Sequence, residues 1–337
     1  MPDNRRFLLV RRPQGDPQPA DFELRHEPVP PLADGQFLIR NHYASLDPAM
    51  RGWMDDRPSY MPPIPLGQPV RASTVGVVED SRADGFKPGQ WVMGLHALED
   101  YSVGQAGGFT QPIDPAVVPS VTNYLSLMGA VGLTAYFGLL QVCRPRAGET
   151  LLVTGAAGAV GSLVGQLGKL KGCRTIGIAG GPDKVARLTE RYGFDAGIDY
   201  RGKDVDALAA EIAQHAPSGV DMIFENVGGA VLDAGLMNLA PKARVGLCGL
   251  ISEYNATAPV GARNLWQLIV RRASITGLLV SDYLAQFPQG AAQLARWAAE
   301  GRLVLDEHVE EGLENALAAF AKLFSGGNRG KLILKIA

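Results

Sequence analysis

Through the first third of the chain apolar residues come in short runs, among them Gln36-Phe37-Leu38-Ile39-Arg40, Ser73-Thr74-Val75-Gly76-Val77-Val78 and Gln90-Trp91-Val92-Met93, punctuated by proline and glycine. Runs of that length between turn residues predict strands, so residues 1 to about 123 read as a loop-rich, β-barrel-like domain. From about Tyr124 strand-length apolar runs alternate with helix-period segments, the pattern of a doubly wound parallel sheet. Six strands are expected there, at residues 150–154, 174–179, 196–198, 222–225, 244–248 and 274–279, as two nucleotide-binding halves require. Helices are expected at 182–192, 204–215, 230–239 and 284–300. A further helix at 311–324 and a strand at 331–336 follow, and that last segment is expected to rejoin the first domain. The predicted division is 1–123 with 305–337, and 124–304 inserted between them.

The first of the six strands runs into Gly155-Ala156-Ala157-Gly158-Ala159-Val160-Gly161 and then a helix on which Val160, Leu163, Val164, Leu167 and Leu170 recur at helical spacing. Glycines at 155, 158 and 161 let the backbone turn sharply, approach a pyrophosphate and pack the helix on the strand. The helix N-terminus then presents N–H groups and positive dipole to phosphate oxygens. A glycine turn alone also occurs where nothing binds. Strand, turn, helix and second strand in the required order point to a dinucleotide here.

Composition narrows the classes. At 337 residues the chain suits two domains, and 32 Lys+Arg against 34 Asp+Glu give no basic field to attract nucleic acid or an anionic membrane. The early run Phe7-Leu8-Leu9-Val10 ends in Arg11-Arg12-Pro13, too short for a signal segment or a membrane span. Three dispersed cysteines, Cys143, Cys173 and Cys248, make no disulfide framework and suit a reducing, cytoplasmic compartment. Each is read as a small core residue.

Several blocks in one order make the whole chain resemble the zinc-independent branch of the medium-chain dehydrogenase/reductase superfamily that holds leukotriene B4 dehydrogenases, prostaglandin reductases and plant double-bond reductases. They are Ser45-Leu46-Asp47-Pro48-Ala49-Met50-Arg51, Gly132-Leu133-Thr134-Ala135-Tyr136-Phe137-Gly138, the glycine turn, Glu225-Asn226-Val227-Gly228-Gly229, Cys248-Gly249-Leu250-Ile251-Ser252-Glu253-Tyr254-Asn255 and Gly327-Asn328-Arg329-Gly330-Lys331. The resemblance implies a GroES-like catalytic domain beside a Rossmann domain, and a homodimer through the edge of the cofactor sheet. Zinc-dependent relatives carry a Gly-His-Glu block where this chain reads Gly67-Gln68-Pro69, and an early cysteine ligand is replaced within Ala44-Ser45-Leu46-Asp47. Those side chains offer no catalytic zinc set, and His26, His42, His96, His215 and His308 show no metal spacing, so no metal is expected.

The second strand ends in Gly180-Gly181-Pro182-Asp183-Lys184, without the acid an NAD site places at that point. By resemblance Lys184 and Tyr200 meet the 2′-phosphate of NADP(H), although Lys184 and Asp183 could equally be a solvated pair. Resemblance also assigns coenzyme contacts to Gly155, Ala157, Gly158, Ala159, Val160, Gly161, Asn226, Cys248, Gly249, Ile251, Ser252, Leu278, Leu279, Val280 and Asn328. For the asparagines the alternative is a loop residue satisfying its own turn.

The implied reaction is metal-independent reduction of the carbon–carbon double bond of a small hydrophobic α,β-unsaturated aldehyde or ketone. Tyr254 is the leading donor to the developing enolate, either directly or by aligning the ribose 2′-hydroxyl. Tyr43 is a second candidate and Tyr60 is expected to cover the pocket, with local packing the competing interpretation of both. Quinone or carbonyl reduction on the same scaffold remains the alternative, and a non-catalytic coenzyme-binding protein a more distant one.

Overall fold

The computed structural model describes residues 2–258 and 260–337. The chain forms two compact units, Met1–Ser126 with Glu307–Ala337, and Leu127–Asp306. It passes first through β1 (Asp3–Leu9), β2 (Phe22–Pro28), β3 (Gln36–Ser45), α1 (Ala49–Trp53), β4 (Gln68–Pro69), β5 (Arg71–Ser81), β6 (Trp91–Ala97), β7 (Tyr101–Gln105) and β8 (Gln111–Pro112). The second unit holds α2 (Ala130–Phe137), β9 (Thr150–Thr154), α3 (Ala159–Leu170), β10 (Arg174–Ala179), α4 (Pro182–Glu190), β11 (Ala196–Asp199), α5 (Val205–His215) and β12 (Val220–Glu225). It continues through α6 (Gly229–Met237), β13 (Leu239–Leu247), α7 (Trp266–Arg271), β14 (Ser274–Gly277) and α8 (Phe287–Ala299). The chain then returns to the first unit with β15 (Glu307–Glu311), α9 (Ala316–Ser325) and β16 (Lys331–Lys335).

In the first unit a seven-stranded sheet runs β15-β16-β3-β5-β6-β8, with β7 also on β3, and a three-stranded sheet runs β2-β1-β4. Its pairs are antiparallel except β15 with β16. Phe7, Leu9, Met50, Met54, Phe320 and Leu334 are buried together in its core.

The second unit is an all-parallel six-stranded sheet in the order β11-β10-β9-β12-β13-β14. This is the doubly wound order, with its topological switch between β9 and β12. Leu151 and Val153 pack into one layer of core and Leu152 into the other, which is why β9 reads as continuous apolar sequence. Each is fully buried, worth about 1.5–3 kcal/mol relative to exposure. Helix α3 lies close on the sheet because Gly165 leaves room for a ring: a Cβ there would stand 1.8 Å from Phe194 Cζ.

Three expected helix or strand boundaries differ by three residues or more, each for a local reason. The helix expected at 284–300 is a 3₁₀ segment, Val280–Gln286, followed by α8, whose first turn carries Pro288. The helix expected from Glu311 begins at Ala316, because Gly312 has φ +89° and β15 occupies Glu307–Glu311. Strand β13 begins at Leu239, ahead of the expected Arg244, across a distortion at Lys242 with φ +63°.

At the return crossing consecutive carboxylates are each tied within their own unit. Asp306 binds Arg187, Arg191 and Tyr192 of the second. Glu307 accepts from Thr122 (2.5 Å), Asn123 (3.0 Å) and Ser126 (2.6 Å) of the first.

Candidate active site

Open parallel sheets bind ligands outside the carboxyl ends of their strands, at the switch point. At that edge of the second unit, β9 runs into Gly155 with φ +58°, a left-handed conformation that favours glycine. A Cβ on Gly161 would stand 2.4 Å from Gly155 O and 2.8 Å from Ala156 Cα, and one on Gly158 3.1 Å from Gly155 O. The turn therefore closes on itself only without a side chain at Gly161, and leaves little room for one at Gly158. Gly158 caps α3 with no side-chain hydrogen bond, so the first N–H groups of the helix, at Ala159 and Val160, are left to a ligand or water. Ala157 is buried beside them. A dinucleotide pyrophosphate fits this cradle.

Loops after β9, β12 and β13 are bound to one another. Asn226 N–H donates to Thr154 Oγ1 (2.8 Å) and its Nδ2 to Thr154 O (2.7 Å). The N–H groups of Cys248 and Gly249 donate to Glu225 O at 2.9 and 3.1 Å, that of Ile251 to Asn226 O at 3.1 Å and that of Ser252 to Val227 O at 2.9 Å. Glu225 itself is fully buried. Its Oε1 accepts from Thr154 Oγ1 (3.0 Å) and from the N–H groups of Val227 (2.6 Å) and Gly228 (2.7 Å), whereas its Oε2 is buried without a partner. Burial outweighs those bonds and pushes this carboxyl up to about 7.

Tyr254 is half-buried, and its hydroxyl oxygen accepts from Leu250 N–H (3.2 Å). It lies over Gly249, where a Cβ would stand 2.9 Å from it. Burial pushes the Cys248 thiol up to about 12, so it is a neutral packing group rather than a nucleophile. Leu278 donates its N–H to Leu247 O (3.0 Å) and its side chain packs at Gly138, while Leu279 continues extended into the 3₁₀ turn that starts at Val280.

At the end of β10 the sequence offers no carboxylate, but the neighbouring strand does. Asp199 pairs in register with Ala179, and its Oδ1 accepts from Gly181 N–H (2.8 Å) and Arg201 N–H (3.0 Å). Burial raises this carboxyl, yet those two N–H groups outweigh it and hold it below the ordinary range. Its bonds fold the Tyr200-Arg201 loop over Gly180 and Gly181. A Cβ on Gly180 would stand 3.0 Å from the Tyr200 hydroxyl, and one on Gly181, at φ +94°, 3.0 Å from Arg201 Nη1. Lys184 is half-buried in the first turn of α4.

The second unit thus gathers Gly155, Ala157, Gly158, Ala159, Val160, Gly161, Asn226, Cys248, Gly249, Ile251, Ser252 and Tyr254 on linked loops, with Lys184 and Tyr200 at the end of β10. Leu278, Leu279 and Val280 also belong to the second unit, and the remaining three expected residues to the first. Tyr43 is half-buried on β3 opposite Val75 and Lys335. Tyr60 is 55% exposed, its hydroxyl accepting from Trp53 Nε1 (3.2 Å). Asn328 donates to Gly330 O (3.0 Å), the bond of a residue satisfying its own turn. Sequence reasoning missed Arg201, Asp199, Thr154 and Glu225. The last had a visible signal, a carboxylate closing the otherwise apolar run Met222-Ile223-Phe224.

Among the described residues no group of three or more His, Cys, Asp or Glu side chains could hold a metal ion. The buried Lys331 ammonium donates to Leu46 O (2.7 Å) and Asp47 Oδ1 (2.8 Å). His96 lies between the hydroxyls of Thr74 and Thr110, and burial lowers it to about 4.

A family model described as the N-terminal domain of oxidoreductase matches residues 5–111, and one described as zinc-binding dehydrogenase matches residues 159–297. The NADPH-dependent curcumin reductase of Escherichia coli is 39% identical over 99% of this chain and 97% of its own length. This chain belongs to the zinc-independent medium-chain dehydrogenases/reductases. The 2-alkenal reductase (NADP(+)-dependent) of Nicotiana tabacum is 36% identical over 99% of this chain and 98% of its own. The crystal structure of CurA from Vibrio vulnificus in complex with NADPH superposes with a TM-score of 0.92 at 40% identity, covering 99% of both chains. The expected six-stranded parallel sheet, the separate sheet domain and the superfamily branch all hold.

Proposed function

We propose that this medium-chain reductase uses NADPH to reduce the carbon–carbon double bond of small, hydrophobic α,β-unsaturated aldehydes and ketones. The observation that carries it is the Tyr254 phenol held by a backbone N–H over Gly249, beside a glycine cradle shaped for a pyrophosphate. The coenzyme names of the E. coli and tobacco relatives, and the bound NADPH of the Vibrio structure, support the choice of coenzyme.

Reduction takes a hydride, which bound NADPH supplies, and a proton, which passes through protein or solvent. The chain's own residues have three tasks. The uncapped start of α3 and the glycine turn hold the pyrophosphate. Lys184, Tyr200 and Arg201 receive the 2′-phosphate, a dianion that rewards a lysine and a guanidinium. The loop Cys248–Tyr254, with the backbone of Leu278–Val280, borders the nicotinamide, where Tyr254 donates to the oxygen on which enolate charge develops. Conjugated substrates suit such a site because a phenol donor can stabilise an enolate, whereas a simple ketone requires stronger polarisation. Tyr43, Tyr60 and Asn328 keep the roles that the resemblance gives them, the two tyrosines towards substrate and the asparagine towards coenzyme.

The test is NADPH consumption with trans-2-enals, enones, simple ketones and quinones, with products identified by mass spectrometry. Saturated aldehydes and ketones are expected from the enals and enones. Turnover of quinones or simple ketones alone would leave the family standing and remove double-bond reduction.

A homodimer through β14 is part of the same proposal. That strand is paired on one side only among the described residues, and its own Ile275 is 37% exposed, with Trp266 at 68% and Ile269 at 66% on α7. An unpaired apolar edge is a template for a second copy. Trp266→Glu with Ile269→Glu is expected to convert a wild-type dimer to monomer in light scattering at about 10 μM, a range in which standard-size interfaces stay assembled. A monomeric wild-type protein would sink the proposal.

A further inference from the structure

The buried carboxyl group at the switch point has no part in the chemistry above, yet the loops after β9, β12 and β13 are all attached to it. Glu225 is the last residue of β12. Its Oε1 binds the last residue of β9, Thr154, and the first turn of the following loop at Val227 and Gly228, and its backbone oxygen holds Cys248 and Gly249 after β13. Three of the loops assigned to the coenzyme are thereby closed on one residue. All the donors converge on Oε1 and the backbone oxygen, while Oε2 is enclosed with no donor to meet a negative charge. A buried carboxylate without donors on that oxygen leaves part of its charge unmet, whereas a carboxylic acid leaves only one neutral O–H unpaired, at a much smaller cost.

We propose that Glu225 is a positioning residue that closes the coenzyme crevice as a neutral carboxylic acid, so that NADPH binding is linked to the uptake of a proton. The proposal rests on the assignment of this crevice to the coenzyme. Without coenzyme the group titrates about pH 7, so near neutrality a sizeable fraction of the protein carries a buried negative charge there. Bound phosphates bring further negative charge and displace water from the mouth of the crevice, and both effects oppose ionisation. Binding therefore selects the protonated form. The other titratable groups facing Glu225 do not supply this proton: burial keeps the Cys248 thiol, and Cys143 beyond it, neutral up to about 12. Glu253, which accepts from Gly229 N–H (3.3 Å), and Tyr254 over Gly249 are the remaining ionisable side chains of these loops.

The sign for folding runs the same way. The raised folded-state value means that stability is full below the ordinary carboxyl range and is lost as the pH rises towards about 7, with no further loss above it.

The experiment is a fluorescence titration of NADPH into the full-length protein between about pH 6.5 and about pH 8.5, beside Glu225→Gln, which keeps the Oε1 acceptor and cannot ionise. The wild-type Kd is expected to rise about tenfold or more across that range, and that of the variant by less than about twofold. The coenzyme's 2′-phosphate, which ionises near pH ~6, would change affinity in the opposite sense, and NADH titrations remove it altogether. Isothermal calorimetry of the wild-type protein in two buffers of different ionisation enthalpy reads the proton directly, whether or not the variant folds. Net uptake approaching one proton per NADPH near pH ~8 is expected. Equal pH slopes in the two proteins, or no uptake, would overturn the proposal. Failure of the wild-type protein to bind NADPH at any pH would overturn the coenzyme assignment itself.

Discussion

Tyr254→Phe is expected to lower kcat for enal reduction by about 10²–10³-fold, the usual cost of removing one hydrogen-bond donor to a developing oxyanion, while the Kd of NADPH changes less than about threefold. The phenol oxygen accepts from Leu250 N–H, and accepting one hydrogen bond polarises the O–H that donates the next. Phenylalanine keeps the ring and its packing beside Gly249, so the fold is expected to survive with Leu250 N–H left to solvent. The two roles open to the hydroxyl separate kinetically. Direct donation to the enolate lowers kcat alone, whereas alignment of the ribose 2′-hydroxyl raises the KM for NADPH as well. A kcat within about twofold of wild type, measured by single-turnover oxidation of NADPH, would remove Tyr254 from the site and make Tyr43 the next group to test.

The parts legible in the sequence are those in which a local rule and the tertiary structure agree. Strands β9 and β10 occupy the residues their apolar runs define, because a strand covered on both faces has no polar positions to blur its ends. Gly155, Gly158 and Gly161 could be read as a cradle since a Cβ on Gly161 would collide with Gly155 O and one on Gly158 would crowd it. Legibility fails where the signal lies in long-range pairing. Nothing local to Arg201 says that its guanidinium lies over Gly181; that follows from the parallel pairing of β10 with β11 and from the bonds of Asp199 to both loops. The same holds for Glu225, whose partners come from three separate stretches of chain. Pro288 and Gly312 carried local information of the right kind, a first-turn proline and a left-handed glycine. An amphipathic pattern continuing past each of them hid the boundary.

The combined variant Lys184→Ala, Arg201→Ala is expected to lower the NADPH over NADH preference, as a ratio of kcat/KM values, by about 10²–10³-fold, at about 1.5–3 kcal/mol for each charge-assisted hydrogen bond removed. The product of the two single-variant effects is expected to fall short of the double-variant effect, since the cation left in each single variant still meets the phosphate charge. Asp199 enlarges the change. Its carboxyl is held below the ordinary range by Gly181 and Arg201 N–H groups, so it is ionised near neutrality, and it lies beside the turn proposed above for the ribose. With both cations gone it repels the 2′-phosphate, but it meets in NADH only a hydroxyl, to which a carboxylate can be a partner. The loss should therefore fall on NADPH, with kcat/KM for NADH preserved within about threefold, and Tyr200→Phe should add a smaller decrement of about 1 kcal/mol. An unchanged ratio in Arg201→Ala would mean that the guanidinium serves the loop alone, whereas an unchanged ratio in the double variant would move the ribose end of the coenzyme away from Gly180 and Gly181.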